Sequence, residues 1–245
     1  MGLSVLPLRG FPEVRPGDDL VHLLLGSGFD YQPDDVAVVT QKIVSKAEGR
    51  LVRLDTVTPR PEAIEFATRY DKDPRQVELV LAESLEVLRM ERGIIISRTR
   101  QGYVCANAGL DMSNCDGGDT ACLLPLDCDA SARALQSGLS QGLGFEVGVI
   151  ISDSFGRPWR NGIVNVALGV AGMAACRDYR GLTDPAGLEL KASIMATADM
   201  LASAAELVMG KTDAVPVAIV RGMGPLGSSG SGAELVRPRH EFLFD

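Results

Sequence analysis

Residues 145–162 read FEVGVIISDSFGRPWRNG. The apolar, β-branched run up to Ile151 predicts a strand that delivers Asp153 at its end. A tip rich in glycine, proline and arginine follows, and it holds Trp159, the single tryptophan of the chain. The preceding DASARALQSGLSQGLG predicts a helix opened by Asp129 and closed by Gly144. The following IVNVALGVAGMAAC is apolar with interspersed glycines, so it has to pack closely. Helix, strand, polar tip and a second apolar run in that order do not make a regular βαβ alternation. The pattern favours an α+β fold over a doubly wound parallel sheet.

The same reading extends outward. VAVVTQKIVSKAEGRLV (36–52) reads as a strand, a short turn and a second extended segment. Residues 61–90 follow a helical pattern, with Asp73 as a cap, Pro74 in the first turn, and Val77, Val80, Leu81, Leu85 and Leu88 on one face. GIIISRT and GYVCANAG read as a strand pair joined near Gln101-Gly102. Ala196 to Met209 reads as a helix and AVPVAIVRG as a late strand. GPLGSSGSGAEL (224–235) is the clearest flexible stretch, either mobile or able to close over a ligand. No repeat or long linker divides the chain, so residues 1–245 are expected to form a single domain.

Composition narrows the function classes. The 245 residues are 46% hydrophobic and 23% charged, with a formal net charge of −8. That balance fits a soluble globular protein and argues against a general nucleic-acid binder. No apolar run reaches the roughly 18 residues that a membrane span requires. The first residues lack the basic-then-apolar order of a secretory leader. The five cysteines are an odd number without a CxxC pair, which suggests reduced thiols and a cytoplasmic location. Cys115, Cys122 and Cys128 stand seven and six apart, unlike common zinc patterns, and read better as small, half-buried residues.

Several motifs fail. Gly210-Lys211-Thr212 has the ending of a phosphate-binding P-loop, but Ala205 stands where its first glycine belongs, and the segment follows a helix. It reads better as a helix C-cap with a basic residue at the negative helix end. The two histidines, His22 and His240, lie near the termini, so histidine-centred acid–base chemistry has poor candidates. What remains is three polar clusters at the ends of apolar segments. They are Lys42, Ser45, Lys46, Glu48 and Arg50; then Asn107, Gly109, Asp111, Ser113 and Asn114; then the tip from Asp153 to Gly162. Two strand-end aspartates and the Ser154 hydroxyl could hold a hard divalent ion, and the cationic side chains could neutralise phosphate, as phosphoryl transfer requires. Each has a plainer reading. Asp111 can be a turn residue, Asp153 a turn cap, the lysines one solvated face, and Trp159 an anchor that packs the loop.

Six ordered motifs then carry a family resemblance over nearly the full length: GFPEVRPGDDL, VVTQKIVSKAEGRLV, CANAGLDMSN, IISDSFGRPWRNG, RDYRGLTDPAGLEL and AELVMGK followed by VPVAIVRG. The chain resembles the coenzyme F420-0:L-glutamate ligases. Some relatives carry a fused flavin-reductase-like domain, which is not expected here. The resemblance implies an unusual α+β fold and an intertwined homodimer with the nucleotide near its interface. It implies GTP-dependent activation of the deazaflavin precursor's carboxylate, as an acyl phosphate, and amide formation with L-glutamate, releasing GDP and phosphate. Two divalent ions, Mn²⁺ or Mg²⁺, and K⁺ are implied as cofactors. By position, Asp111, Asp153 and Ser154 are implied metal ligands, with Ser154 in place of the usual threonine. Gly10, Phe11, Pro12, Glu13, Gln41, Lys46 and Asn114 are implied nucleotide contacts. Gly210, Lys211, Thr212 and Pro216 belong to a phosphate- and metal-approaching loop, one residue shorter than in some relatives. Asp199 keeps an acidic position, while Met200 replaces the acidic residue that often follows. Asp153, Arg157 and Arg160 are the expected catalytic residues, the arginines meeting phosphate or substrate carboxylates. The alternatives are a ligase that joins an amino acid to a different carboxylate, and a GTP- and metal-binding sensor without turnover.

Overall fold

The computed structural model describes residues 2–113, 118–227 and 229–243. In chain order the elements are β1 (Ser4–Pro7), α1 (Leu20–Leu25), β2 (Val36–Thr40), α2 (Gln41–Ala47), β3 (Leu51–Arg53), α3 (Pro61–Tyr70) and α4 (Pro74–Glu83). Then come β4 (Ser84–Glu91), β5 (Ile94–Thr99), β6 (Val104–Ala106), β7 (Thr120–Cys122), α5 (Cys128–Leu143), β8 (Gly148–Arg157) and β9 (Arg160–Ala171). The remainder is β10 (Arg177–Asp178), β11 (Ile194–Met195), α6 (Thr197–Met209) and β12 (Val217–Arg221). The protein is a mixed α/β structure, in keeping with the α+β expectation.

The central sheet has the order β1-β12-β2-β8-β9. Only β2 and β8 run parallel within it, and the other neighbours are antiparallel. The near-continuous apolar runs VAVVT and GVIIS are what a strand covered on both faces requires. Residues 37, 39, 149 and 151 face a core built with α1, α2 and α5. Residues 36, 38 and 150 face a second core built with α6. The period of two along each strand makes this division. Apart from it, β4, β5 and β6 form a small antiparallel sheet, with α3 and α4 packed over Ile95.

Three local expectations change. Residues 41–47 are a helix and not a short turn. QKIVSKA lacks glycine and proline, and burying Ile43 and Val44 against the sheet favours the helical spacing. The helical pattern over 61–90 breaks twice. Asp71 turns left-handed at φ 52° to end α3, Asp73 caps α4, and α4 stops at Glu83. Ser84 to Glu91 is a strand in which burial alternates, with Leu85 59% exposed, so Leu85 and Leu88 extend no helical face. Here pairing with β5 overrides helix propensity. Within the glycine-serine stretch, residues 230–233 are pinned. The Gly230 amide bonds Met173 O at 2.7 Å, and Asp129 accepts from the Gly232 and Ala233 amides at 2.6 and 3.2 Å. A Cβ on Gly232 would lie 2.0 Å from Leu168 O, so the glycine there permits close packing.

Candidate functional site

The segments that carry the expected site residues are far apart in sequence and meet at one end of the central sheet. Pairing of Pro7 with Ala218, Val217 with Val39, and Thr40 with Ser152 places the end of β1, the end of β2 and the start of β12 side by side. The Leu8 amide donates to Val217 O at 2.9 Å and the Thr40 amide to Pro216 O at 2.9 Å. Loop 10–13, the start of α2 and loop 210–216 therefore emerge together. β8 runs on past them, so Asp153 lies inside a ten-residue strand and not at its end. The pairing of Asp153 with Val166 and of Arg157 with Arg160 makes the expected tip a long hairpin.

Asp111 reaches this end by a strained route. Asn107, Ala108 and Gly109 are all left-handed, with φ of 51°, 50° and 68°. That conformation costs a non-glycine residue roughly 1–2 kcal/mol. Asn107 Oδ1 offsets part of it by accepting the Ile95 amide at 3.2 Å. At Gly109 a Cβ would lie 2.8 Å from Leu124 Cδ1, so a side chain does not fit. Asp111 then exchanges both backbone hydrogen bonds with Cys122, at 3.0 and 2.8 Å. Strain held by surrounding structure is a mark of functional segments.

At the site, Lys42 Nζ stands 2.6 Å from Asp111 Oδ2 and donates to Ser113 Oγ at 2.6 Å. The Ser113 amide and hydroxyl both donate to Asp111 Oδ1 at 2.7 Å. Burial opposes the charge on Asp111, but Lys42 and Ser113 outweigh it and hold its pKa below the ordinary value. Asp153 behaves in the opposite way. Burial pushes it up to about 7, and the negative charge of Asp111 adds to the rise, against the Ser154 amide, Lys211 and Lys42. Two carboxylates within each other's field, with two ammonium groups beside them, are brought together from distant parts of the chain. Cys105 lies behind this pair, its thiol raised to about 12 by burial and then by Asp153.

Lys46 lies one turn beyond Lys42 on the same helix face. Its ammonium pairs with Glu13, while the lysine itself is only 7% exposed. Two of the expected nucleotide contacts are thus adjacent. Gly10 and Pro12 are exposed in the same loop, and Phe11 packs on the core. Gln41 is buried and accepts from its own helix, at 2.9 Å from Ser45 Oγ. Gly210 caps α6, as the C-cap reading has it, and exposed Lys211 pairs with Glu206 at 3.2 Å. Thr212 is exposed and Pro216 joins the loop to the sheet. Asn114 and Cys115 lie outside the described residues.

The hairpin tip departs from expectation. Arg157 is four residues beyond Asp153, roughly 13 Å along an extended strand. Its Nη2 donates to Asn161 O at 3.0 Å, closing the tip, and Arg160 is exposed beside it. Neither arginine is placed at the two carboxylates. Trp159 is 79% exposed at φ 57°, so it is not the buried loop anchor expected of it. Asp199 accepts the Ala167 amide at 2.8 Å at a bulge in β9, a structural bond. Burial raises its pKa, and that amide partly counters the rise.

Sequence reading passed over Glu206 and Asn165. Successive strand side chains point to opposite faces, so Ser154 faces away from the Asp153 carboxylate and toward α6. Ser154 pairs with Asn165 in register. Asn165 Nδ2 donates to Glu206 Oε2 at 2.9 Å. The available signal was a polar residue inside the apolar run IVNVALG and an acid inside the apolar helix.

An oxygen-rich donor set of this kind suits a hard divalent ion. Asp111 and Asp153 fit such an ion on these grounds, because the like-charge field between the carboxylates is what a bound cation would relieve, whereas Ser154 offers its hydroxyl on the other face of the strand. Among the described residues no cluster of three histidine, cysteine or acidic side chains has metal-site geometry, and no helix is long and apolar enough to cross a membrane.

Comparison with known proteins agrees with the motif order. The family described as F420-0:Gamma-glutamyl ligase matches residues 10–222. A Coenzyme F420:L-glutamate ligase of Methanothermobacter thermautotrophicus is 45% identical over 251 residues, covering 100% of this chain and 99% of the relative. The proteins of that name from Methanopyrus kandleri and Methanocaldococcus jannaschii are 46% identical over 228 residues and 39% over 234. These alignments cover 91% and 95% of this chain, and 90% and 93% of the relatives.

Proposed function

The chain belongs to the F420-0:gamma-glutamyl ligase family and is a ligase, and from that premise we propose that it adds L-glutamate to coenzyme F420-0 at the expense of GTP. The observation that carries this reading is the convergence of Asp111, Asp153, Lys42 and Lys211 at the sheet end that also holds the Glu13–Lys46 ion pair. A triphosphate running from the Gly10–Glu13 loop toward Asp111 would pass along Lys42 and Lys46. Their ammonium groups would leave their carboxylate partners for phosphate oxygens.

In the reaction proposed, an oxygen of the acceptor carboxylate attacks the γ-phosphorus, the bond to the β-phosphate oxygen breaks, and GDP leaves. The amine of glutamate then attacks the acyl carbon, the acyl–oxygen bond breaks, inorganic phosphate leaves, and the nitrogen loses a proton to give the amide. Divalent cations, Mn²⁺ or Mg²⁺, held by Asp111, Asp153 and Ser154, would neutralise the phosphate oxygens, with K⁺ as a further cofactor. The chain's own part is to align carboxylate and phosphate and to supply fixed charge where negative charge develops. We further propose a homodimer.

Mass spectrometry of reactions containing the deazaflavin precursor, GTP, Mn²⁺ and a panel of amino acids tests this reading. One glutamyl mass increment with one GDP per turnover is expected. GTP binding without release of phosphate would favour a sensor. An adduct formed only with another acid would replace the acceptor.

A further inference from the structure

On β8 the residues facing α6 run Ile150, Ser152, Ser154, changing from apolar to hydroxyl where the sheet meets the site. Two oxygens on that face are buried with no hydrogen-bond partner: Ser152 Oγ, in a residue with 0% exposure, and Asn165 Oδ1, in a residue with 2%. An orphaned buried acceptor forfeits its hydration without recompense, so two on one face call for a reason. Asn165 is oriented by its other amide atom, since Nδ2 donates to Glu206 Oε2 at 2.9 Å. Exchanging the amide's nitrogen and oxygen would set an oxygen against that carboxylate, so the orphan is the oxygen. It shares a carbon with Nδ2 and thus lies at the Glu206 head. The Ser203 hydroxyl, one turn before Glu206, donates to Asn165 O at 2.7 Å and holds strand and helix together.

We propose that Asn165 Oδ1 and Glu206 complete, with Ser154, an oxygen-donor cation position on the α6 face of the hairpin, opposite the Asp111–Asp153 face. This rests on the reading of Ser154 as a metal ligand and assigns the two side chains that would join it. In antiparallel register Ser154 and Asn165 have Cβ atoms about 4.5–5.5 Å apart, close enough for both oxygens to meet one ion. A hydroxyl, an amide oxygen and a carboxylate suit a hard divalent cation. Glu206 is neutralised by Lys211, whose side chain is 57% exposed and can leave without unpacking anything. Lys211 also lies in the field of Asp153, so cations on the two faces would release one lysine toward phosphate.

Equilibrium dialysis with Mn²⁺, with and without GDP in both chambers, tests the proposal on wild type, Asp111→Asn, Glu206→Gln and Asn165→Asp. Two bound ions are expected in wild type. Glu206→Gln should lose one and keep the ion that Asp111→Asn loses. Asn165→Asp adds a second carboxylate at the same place, so its Mn²⁺ should bind about tenfold tighter, equivalent to ~1.4 kcal/mol. Unchanged Mn²⁺ binding in a folded Glu206→Gln protein, alongside loss of an ion in Asp111→Asn, would overturn the proposal and leave the wider reading standing. No Mn²⁺ bound to wild type in either condition would overturn both. Where Glu206→Gln fails to fold, a folded Asn165→Asp protein with wild-type affinity overturns the proposal by itself.

Discussion

At the scale of single residues the site trades stability for charge. Asp153 has a folded-state pKa of about 7, well above the ~3.9 of a free aspartate. A raised carboxylate contributes stability that is fully present below about pH 4 and is lost as pH rises through 7. An amide at this position cannot ionise, so metal-free Asp153→Asn protein should melt higher than wild type at pH 8, with the gap narrowing as pH falls below 7 and closing near pH 4. About 1 kcal/mol moves the midpoint of a domain this size by roughly 2–4 °C, so calorimetry can resolve it. The same variant should lose most ligase activity, because an amide is a weaker ligand for a hard cation. Equal melting at both pH values, or near-normal turnover at saturating Mn²⁺, would contradict this account. Lys46→Ala should weaken GTP binding by about 1.5–3 kcal/mol, the scale of a hydrogen bond to a charged group. The Michaelis constant for glutamate should shift less. Calorimetric GTP titrations with metal present check the first effect, and matching affinities would retire Lys46 from the site.

At the scale of elements, the edge strand β9 is held by side chains. Asp129, in the first turn of α5, accepts the Val170 amide at 2.9 Å as well as the Gly232 and Ala233 amides. Asp129→Ala would orphan these donors at a cost of about 1–3 kcal/mol for each one that stays buried. Urea unfolding should report it, and an unshifted midpoint would count against the tie. Gly169 lets α5 sit directly on β9, since a Cβ there would lie 2.1 Å from Cys128 O. The obstacle is backbone and cannot rotate away. Gly169→Ala should cost at least the upper end of the ~1–3 kcal/mol typical of overpacking. These elements were unevenly legible. The cap and closing glycine of α5 were readable to within two residues, because Asp127 and Gly144 act locally. The strand β4 was not, because SLEVLRME takes its shape from the pairing with β5.

At the scale of the whole molecule, the prediction concerns assembly. The proposed homodimer should scatter light as a species of twice the 26.0 kDa chain mass at micromolar concentration. The exposed β8–β9 tip, with Trp159 79% and Ile163 57% exposed, presents apolar surface beyond the sheet. A monomer mass that persists across a concentration series would end the proposal.

Six motifs in fixed order were enough to identify the family, and local signals were enough for most of the strands and helices. The sequence also named Asp111, Asp153 and Lys46. Which of these side chains meet depends on the folded chain. Lys42 joins Asp111 and Ser113, the latter across 71 positions of chain, and Asn165 joins Glu206 across 41. Strand parity sends Ser154 to the face opposite Asp153, while strand length carries Arg157 and Arg160 away from both. The reason is physical. Caps, turns and periodicity act over a few residues of backbone. The field at a carboxylate depends on charges that only the pairing of distant strands brings within a few ångströms.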